Sequence, residues 1–312
     1  MARVYVTRDL PGGALDRLRE RHDVEVWDGD DQPPAEELAR QAATAEGLLT
    51  MLGDRVDGGL LEAAPRLRAV ANYAVGVDNV DVDAATARGI PVGHTPDVLT
   101  GATADMALAL MLAVMRRLPE GEAQVREGRW TSWAPDGLLG RDLSRSTVLV
   151  VGRGRIGEAA AERVRGFGAE VIAAGRGDEL GPLLEQADVV TLHCPLTDET
   201  RGLIGEPELR AMGPEAYLIN TARGPVVDTG ALRSALTEGW IAGAGLDVTD
   251  PEPLPGDHPL LEAPNLVIVP HLGSATHYTR AAMADLAVDN LLAALDGEPM
   301  PHSVNPEVRT DG

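Results

Sequence analysis

The sequence contains no lysine: every one of its 27 basic residues other than histidine is arginine. Schiff-base catalysis and a Walker-type phosphate loop both need a lysine amine, so both are excluded. A single cysteine, Cys194, rules out an internal disulfide. It sits in the apolar run V-V-T-L-H-C-P, which reads as buried packing rather than as a nucleophile. No apolar run is long enough to cross a bilayer, and the opening M-A-R-V-Y-V-T-R-D lacks the apolar core of a signal peptide. The expectation is a soluble cytoplasmic protein. Positive charge is scarce overall. The formal net charge of −22 repels nucleic acid and anionic membranes, which excludes both as partners. An anionic ligand would need local positive charge set against that background.

What is present suits a globular protein. The chain has 312 residues, of which 44% are hydrophobic and 24% charged, enough for two domains. Apolar runs at 3–7, 24–27, 47–51 and 67–72 read as strands, with helical spacing at 14–21 and 35–45 between them. Alternating strands and helices mean a parallel α/β sheet. The segment 103–117 is an almost wholly apolar helix too short to span a membrane comfortably and carrying Asp105; it is expected to be buried between domains or subunits. Aromatics make up only 3% of the chain, yet Trp130 and Trp133 fall together in 128–140, a stretch that reads equally as an interface or as core filling. A second α/β series has strands at 146–151, 171–174, 189–194, 216–220, 242–247 and 266–269 and helices including 156–167 and 230–238. A last helix, 279–295, is expected to return to the first unit, and a Pro-rich polar tail at 298–312 to lie on the surface.

The strand S-T-V-L-V-V is followed by G-R-G-R-I-G and a helix. In this G-x-G-x-x-G pattern Gly152 allows the tight turn, Gly154 lets the backbone approach a pyrophosphate, and Gly157 lets helix and sheet pack closely. The helix N-terminus offers unpaired N–H groups to the phosphates. The next strand, V-I-A-A, ends at Gly175 and Arg176 where an acid would bind a ribose 2′-hydroxyl. That predicts NADP, with NAD as the alternative because Asp178 and Glu179 follow at once.

Three further segments each place one functional residue after an apolar run: N-T-A-R-G-P-V-V-D with Arg223, G-L-D-V-T-D-P-E-P-L-P with Glu252, and P-H-L-G-S-A-T with His271. Singly, an arginine after a strand is usually a surface ion pair, a glutamate between prolines a loop residue, and a histidine after a strand a structural one. Together, on one nucleotide-binding sheet, they supply what reduction of a small 2-oxo acid needs. Arg223 offers a fork-shaped cation for the carboxylate. Hydride addition leaves an alkoxide, and His271 can protonate it. Glu252 beside it would favour the imidazolium and fix the tautomer.

These motifs, with H-C-P-L-T, A-N-Y-A-V-G-V-D-N-V-D, G-I-P-V-G-H-T-P-D-V-L-T, R-R-L-P-E and R-W-T-S-W-A-P, resemble the D-isomer-specific 2-hydroxyacid dehydrogenase family, in its glyoxylate/hydroxypyruvate reductase branch, over nearly the whole chain. The resemblance implies two Rossmann-like domains with parallel sheets, the cofactor domain (99–277, with a dimerisation arm at 103–140) inserted into a discontinuous, flavodoxin-like substrate domain (1–98 and 278–312). It implies NAD(P)H-dependent reduction of a 2-oxo acid by a metal-free homodimer, with Arg223, Glu252 and His271 as the catalytic set. Leu52, Val75, Gly76 and Ser274 would bind substrate, and a tryptophan matching Trp133 would reach the partner subunit's active site. Thr103, Arg155, Ile156, Cys194, Pro195, Thr200, Thr221, Ala222, Asp247 and Gly273 would line the cofactor beside the glycine loop, Gly175 and Arg176. The same scaffold could act on another small anion such as phosphite, formate or a phosphonate-bearing keto acid, or serve as an NAD(H)-sensing corepressor-like protein. In one place the chain departs from the family: between Arg176 and Asp188 it is short, as though a strand and part of a basic loop were missing.

Overall fold

The computed structural model describes residues 1–308. They form two compact units, one made of 1–99 with the chain from 276 onward, the other of 100–275. The second is thus inserted in the sequence of the first.

The first unit contains β1 (Arg3–Val6), α1 (Ala14–Arg19), β2 (Asp23–Val26), α2 (Ala35–Ala42), β3 (Gly47–Thr50), α3 (Gly58–Glu62), β4 (Ala69–Asn72), α4 (Val82–Ala87) and β5 (Val92–Gly93). Its five strands are all parallel, in the order β2-β1-β3-β4-β5. The central strands β3 and β4 are buried along their full length, because helices cover both faces of a parallel sheet. Two buried clusters result. One joins β1, β3 and β4 to α1 and the long final helix, His277–Leu295, and the other packs α2, α3 and α4 on the opposite face. The last helix does return to the first unit, with Thr276 as its N-cap accepting from the Thr279 N–H.

The second unit contains α5 (Thr100–Met115), α6 (Leu118–Arg126), β6 (Thr147–Val151), α7 (Arg155–Gly166), β7 (Glu170–Ala174), α8 (Gly181–Leu184), β8 (Val189–Leu192), α9 (Glu206–Met212), β9 (Tyr217–Asn220), α10 (Thr229–Glu238), β10 (Gly243–Leu246) and β11 (Leu266–Ile268), and α11 is the His277–Leu295 helix of the first unit. The sheet is parallel with order β11-β10-β9-β8-β6-β7. Among the described residues no strand lies between β7 and β8; only the single turn of α8 fills the connection. The short stretch after Arg176 therefore leaves β7 as the sheet edge. The order reverses at β6, between β7 and β8, so a crevice opens at the carboxyl ends of β6 and β8, where open α/β sheets bind ligands.

The apolar helix expected to be buried is α5, and one of its faces is covered within its own unit. Helix α5 packs on β9, β10, β11 and α7 of its own unit, and Leu110, Met111, Val114 and Met115 sit in that unit's core. Its approach is close because β10 is G-A-G-L. A Cβ at Gly243 would stand 2.8 Å from both Val114 Cγ2 and the Asn265 carbonyl oxygen, and one at Gly245 would stand 3.0 Å from Leu110 Cβ. Gly243→Ala should therefore destabilise the second unit by about 1–3 kcal/mol, through forced displacement of α5. Urea unfolding checks this; an unchanged midpoint would mean that the helix has slack.

Candidate active site

The glycine loop follows β6. Gly152 has φ +103, open to glycine and strained for other residues. A Cβ there would lie 2.6 Å from the Cys194 nitrogen, so the loop rests directly on the backbone that leaves β8. At Gly157 a Cβ would collide with the Gly152 carbonyl oxygen, which fixes α7 tightly over the loop. Gly154, the N-cap of α7, faces open space. The first turn of a helix has no intrahelical acceptors for its N–H groups. The combination fits a pyrophosphate: a helix N-terminus with a side-chain-free cradle in front of it.

Arg223, Glu252 and His271 follow β9, β10 and β11, three neighbouring parallel strands, so all three stand at one edge of one sheet. Arg223 sits in a turn held by the buried Asn220, whose side chain accepts from the Ala222 N–H (3.0 Å) and donates to the Arg223 carbonyl (2.9 Å). The adjoining Gly224 passes so near the next loop that a Cβ would collide with the Thr249 carbonyl. This contact brings the arginine turn against the Glu252 loop.

His271 Nδ1 and Glu252 Oε1 are 2.6 Å apart, with both side chains part-exposed. Nδ1 therefore carries the proton donated to the carboxylate, and Nε2 is the nitrogen left for another partner. The ring's direction is set by backbone. His271 has φ +53, the left-handed region, and its N–H donates to the Asp247 carbonyl at 2.9 Å. The Asp247 carboxylate, 2% exposed, accepts from the Leu272 N–H (2.6 Å) and the Gly273 N–H (2.8 Å). Burial raises its pKa above the usual carboxylate range, against the pull of those N–H groups and of His271. Thr103 lies beside Gly273: a Cβ on that glycine would be 3.4 Å from the threonine side chain. Ser274 follows, half-buried.

The remaining sequence-derived candidates divide into groups. Cys194 is buried in the core, where burial pushes its thiol pKa up, so its backbone rather than its sulfur adjoins the loop. The Thr200 hydroxyl donates to the Pro195 carbonyl (2.6 Å) and accepts from the Thr197 N–H (2.8 Å), which makes it a staple of its own loop. Thr221 and Ala222 are buried at the end of β9, and Ile156 is half-buried on α7. Gly175 ends β7 with Arg176 exposed beside it. Trp133 is 80% exposed in the arm. In the first unit, Leu52 and the Val75–Gly76 pair lie on two loops tied by amide side chains. Asn79 donates to the Met51 and Asp54 carbonyls, Asn72 donates to the Gly76 carbonyl, and His94 Nδ1 contacts the Val75 carbonyl at 2.9 Å.

Sequence reasoning missed three supporting residues. Asn220 and Asn72 lie in motifs already singled out, but their roles depend on turn geometry that residue spacing does not display. The third is His193, of H-C-P-L-T. Its Nε2 is 2.9 Å from Thr191 Oγ1, its Nδ1 is 3.4 Å from Thr221 Oγ1, and its N–H donates to the Val151 carbonyl. It therefore joins the ends of β6, β8 and β9 beneath the glycine loop.

The fold and this sheet edge define a class: a doubly wound α/β protein with a dinucleotide-type glycine loop and a carboxylate-paired histidine at the carboxyl edge of one sheet. The model of the D-isomer specific 2-hydroxyacid dehydrogenase NAD binding domain matches residues 108–273. A glyoxylate reductase of Korarchaeum cryptofilum is 47% identical over 98% of this chain and 96% of its own. A solved structure from Thermus thermophilus superposes with a TM-score of 0.92 at 52% identity, covering 97% of this chain and 99% of that one. An NADPH-dependent glyoxylate/hydroxypyruvate reductase of Sinorhizobium meliloti, solved with NADP and malonate, superposes with a TM-score of 0.87 at 35% identity, covering 100% and 99%. The chain belongs to the D-isomer specific 2-hydroxyacid dehydrogenase family.

Burial pushes the His193 pKa from 6.5 down to about 4. Between those values the unfolded chain binds a proton that the folded site refuses, so this group's contribution to stability is present above pH 6.5 and falls away toward pH 4. His193→Gln should flatten the dependence of unfolding free energy on pH across that window relative to the parent. Equal slopes for the two proteins in denaturant titrations would show that His193 does not carry it.

Proposed function

We propose that the protein reduces glyoxylate or hydroxypyruvate to the D-2-hydroxy acid with a reduced nicotinamide dinucleotide, giving glycolate or D-glycerate. The observation that carries this reading is the 2.6 Å Glu252–His271 pair on the same sheet edge as the Arg223 turn and the glycine loop. The family membership and the glyoxylate reductase names of its relatives support it.

The bound cofactor would supply hydride to the carbonyl carbon. The chain's own residues then have three tasks. Arg223 holds the substrate carboxylate as a planar fork, which fixes the carbonyl carbon's orientation. His271 gives the Nε2 proton to the oxygen as negative charge develops there, while Glu252 stabilises the imidazolium through Nδ1–H. Asp247 holds the 271–273 backbone, so the ring cannot swing away from the carbonyl. Ser274, two residues after Leu272 on the same sheet edge, would line the substrate side of this turn. The glycine loop and the N-terminus of α7 would seat the pyrophosphate between Arg155 and Ile156. The NADP expected from sequence is supported only by Arg176 after β7, and the neighbouring Asp178 supports NAD instead.

The arm supports a homodimer reading. Helix α6 has no buried residue, and Leu118, Val125, Trp130, Trp133 and Leu139 are all at least 56% exposed, in a chain with few aromatics to spare. A second copy would cover this apolar surface and would bring Trp133 to its partner's substrate pocket.

Initial rates with NADH and NADPH against a panel of 2-oxo acids test the activity. His271→Ala should abolish turnover and leave cofactor binding intact, and Arg223→Ala should mainly raise KM for the oxo acid and lower kcat/KM by about a hundredfold or more. Near-parental turnover by His271→Ala would show that the acid is another group. Val125→Asp together with Leu118→Asp should turn a dimer into a monomer in sedimentation velocity; a monomeric parent would remove the dimer reading.

A further inference from the structure

The end of β7 is where a dinucleotide-binding sheet meets the adenosine ribose, and where an acid selects the 2′-hydroxyl over a 2′-phosphate. Here that position is Gly175, which has no side chain to do either. The void is not left open. The Gly175 N–H donates to Asp178 Oδ2 at 2.8 Å, so the carboxylate three residues on folds back onto the strand end. A Cβ on Gly175 would find Asp178 Oδ2 at 3.8 Å and Arg153 Cδ at 3.5 Å. The carboxylate therefore lies beside the strand end, within 4 Å of where a side chain at 175 would begin. The place is also fixed relative to the glycine loop, because the Gly152 N–H donates to the Ala174 carbonyl at 2.8 Å.

We infer that Asp178 is the residue that selects the cofactor's adenosine half, standing in for the missing acid at 175 and favouring NAD(H) over NADP(H). This rests on the nicotinamide-dependent reading above and reverses the preference expected from Arg176. The ribose 2′-hydroxyl can donate to Asp178. A 2′-phosphate, carrying close to two negative charges, would meet a carboxylate anchored by its own backbone hydrogen bond. The cations nearby are Arg153, which contacts Glu158 at 4.0 Å, and Arg176. Neither is reinforced by a second basic group on a longer loop. The stretch 175–188 contains Arg176 alone against Asp178, Glu179, Glu185 and Asp188, and no strand intervenes before β8. Gly177, at φ +87, makes the tight return that aims Asp178 back at the strand.

The experiment measures equilibrium binding, which needs no turnover. NADH and NADPH, and ADP-ribose and 2′-phospho-ADP-ribose, are titrated against the parent, Asp178→Asn and Asp178→Asn/Arg176→Ala by fluorescence and calorimetry. The parent should bind the unphosphorylated member of each pair more tightly by about tenfold or more. Asp178→Asn keeps an acceptor for the Gly175 N–H and removes the charge, so it should narrow that ratio by about fivefold or more, mainly through tighter binding of the phosphorylated ligands. The double variant should lose that gain. Parental binding of NADPH as tight as NADH, or a ratio unmoved by Asp178→Asn, would overturn the inference. Selective binding without reduction of any 2-oxo acid would instead overturn the activity and leave the assignment of Asp178 standing.

Discussion

Much of this site depends on one buried carboxylate. Asp247 closes β10, and its N–H donates to the Asn220 carbonyl at the end of β9. Its own carbonyl takes the His271 N–H, and its two carboxylate oxygens take the Leu272 and Gly273 N–H groups. A single residue thereby ties the arginine turn after β9 to the histidine turn after β11. Removing the carboxylate would leave the buried Gly273 N–H without its acceptor, at about 1–3 kcal/mol, together with the part-buried Leu272 N–H, and would loosen the left-handed turn at His271. The Glu252–His271 pair is held by its backbone support more than by its own contact, because a part-exposed side-chain contact is worth little by itself.

Close backbone approach is the second constraint. Gly152, Gly157 and Gly224 each sit where a Cβ would collide with a carbonyl oxygen or an amide nitrogen. At the first two, glycine brings strand, loop and helix together at the N-terminus of α7. At the third it lets the Arg223 turn lie against the loop carrying Glu252. The electrostatic arrangement matches. A chain of net charge −22 would repel a 2-oxo acid and a pyrophosphate at long range. Locally, the planar cation of Arg223 follows β9 and a helix N-terminus follows β6.

The adenosine end and the arm show how the same chemistry can be read two ways until geometry intervenes. G-R-G-D-E holds a cation and two acids, and counting charges does not decide between the two cofactors. The hydrogen bond from Gly175 to Asp178 puts one acid at the strand end, which no count of charges along the sequence reveals. Likewise the tryptophans at 130 and 133 read equally as core or interface in sequence. Their exposure, with that of the whole α6 face, leaves them out of the unit's own core.

The alternation of apolar strands and helices specified two parallel sheets, since a strand buried on both faces must be apolar throughout and its period is visible in residue order. The G-R-G-R-I-G loop and the Arg223, Glu252 and His271 segments were equally legible, because each pairs a chemical residue type with the end of a strand. Tertiary structure decided what depends on direction and close approach. Helix α5 packs on its own sheet because Gly243 and Gly245 leave room across the fold, which no local pattern shows. Asn220, Asn72 and His193 act through turns whose φ and ψ angles bring distant carbonyls and hydroxyls within hydrogen-bonding reach. Asp178 gained its role only when the chain turned back at Gly177. Sequence spacing records which groups are available; the folded backbone fixes which of them share a few ångströms of space, and hydrogen bonding acts only over that range.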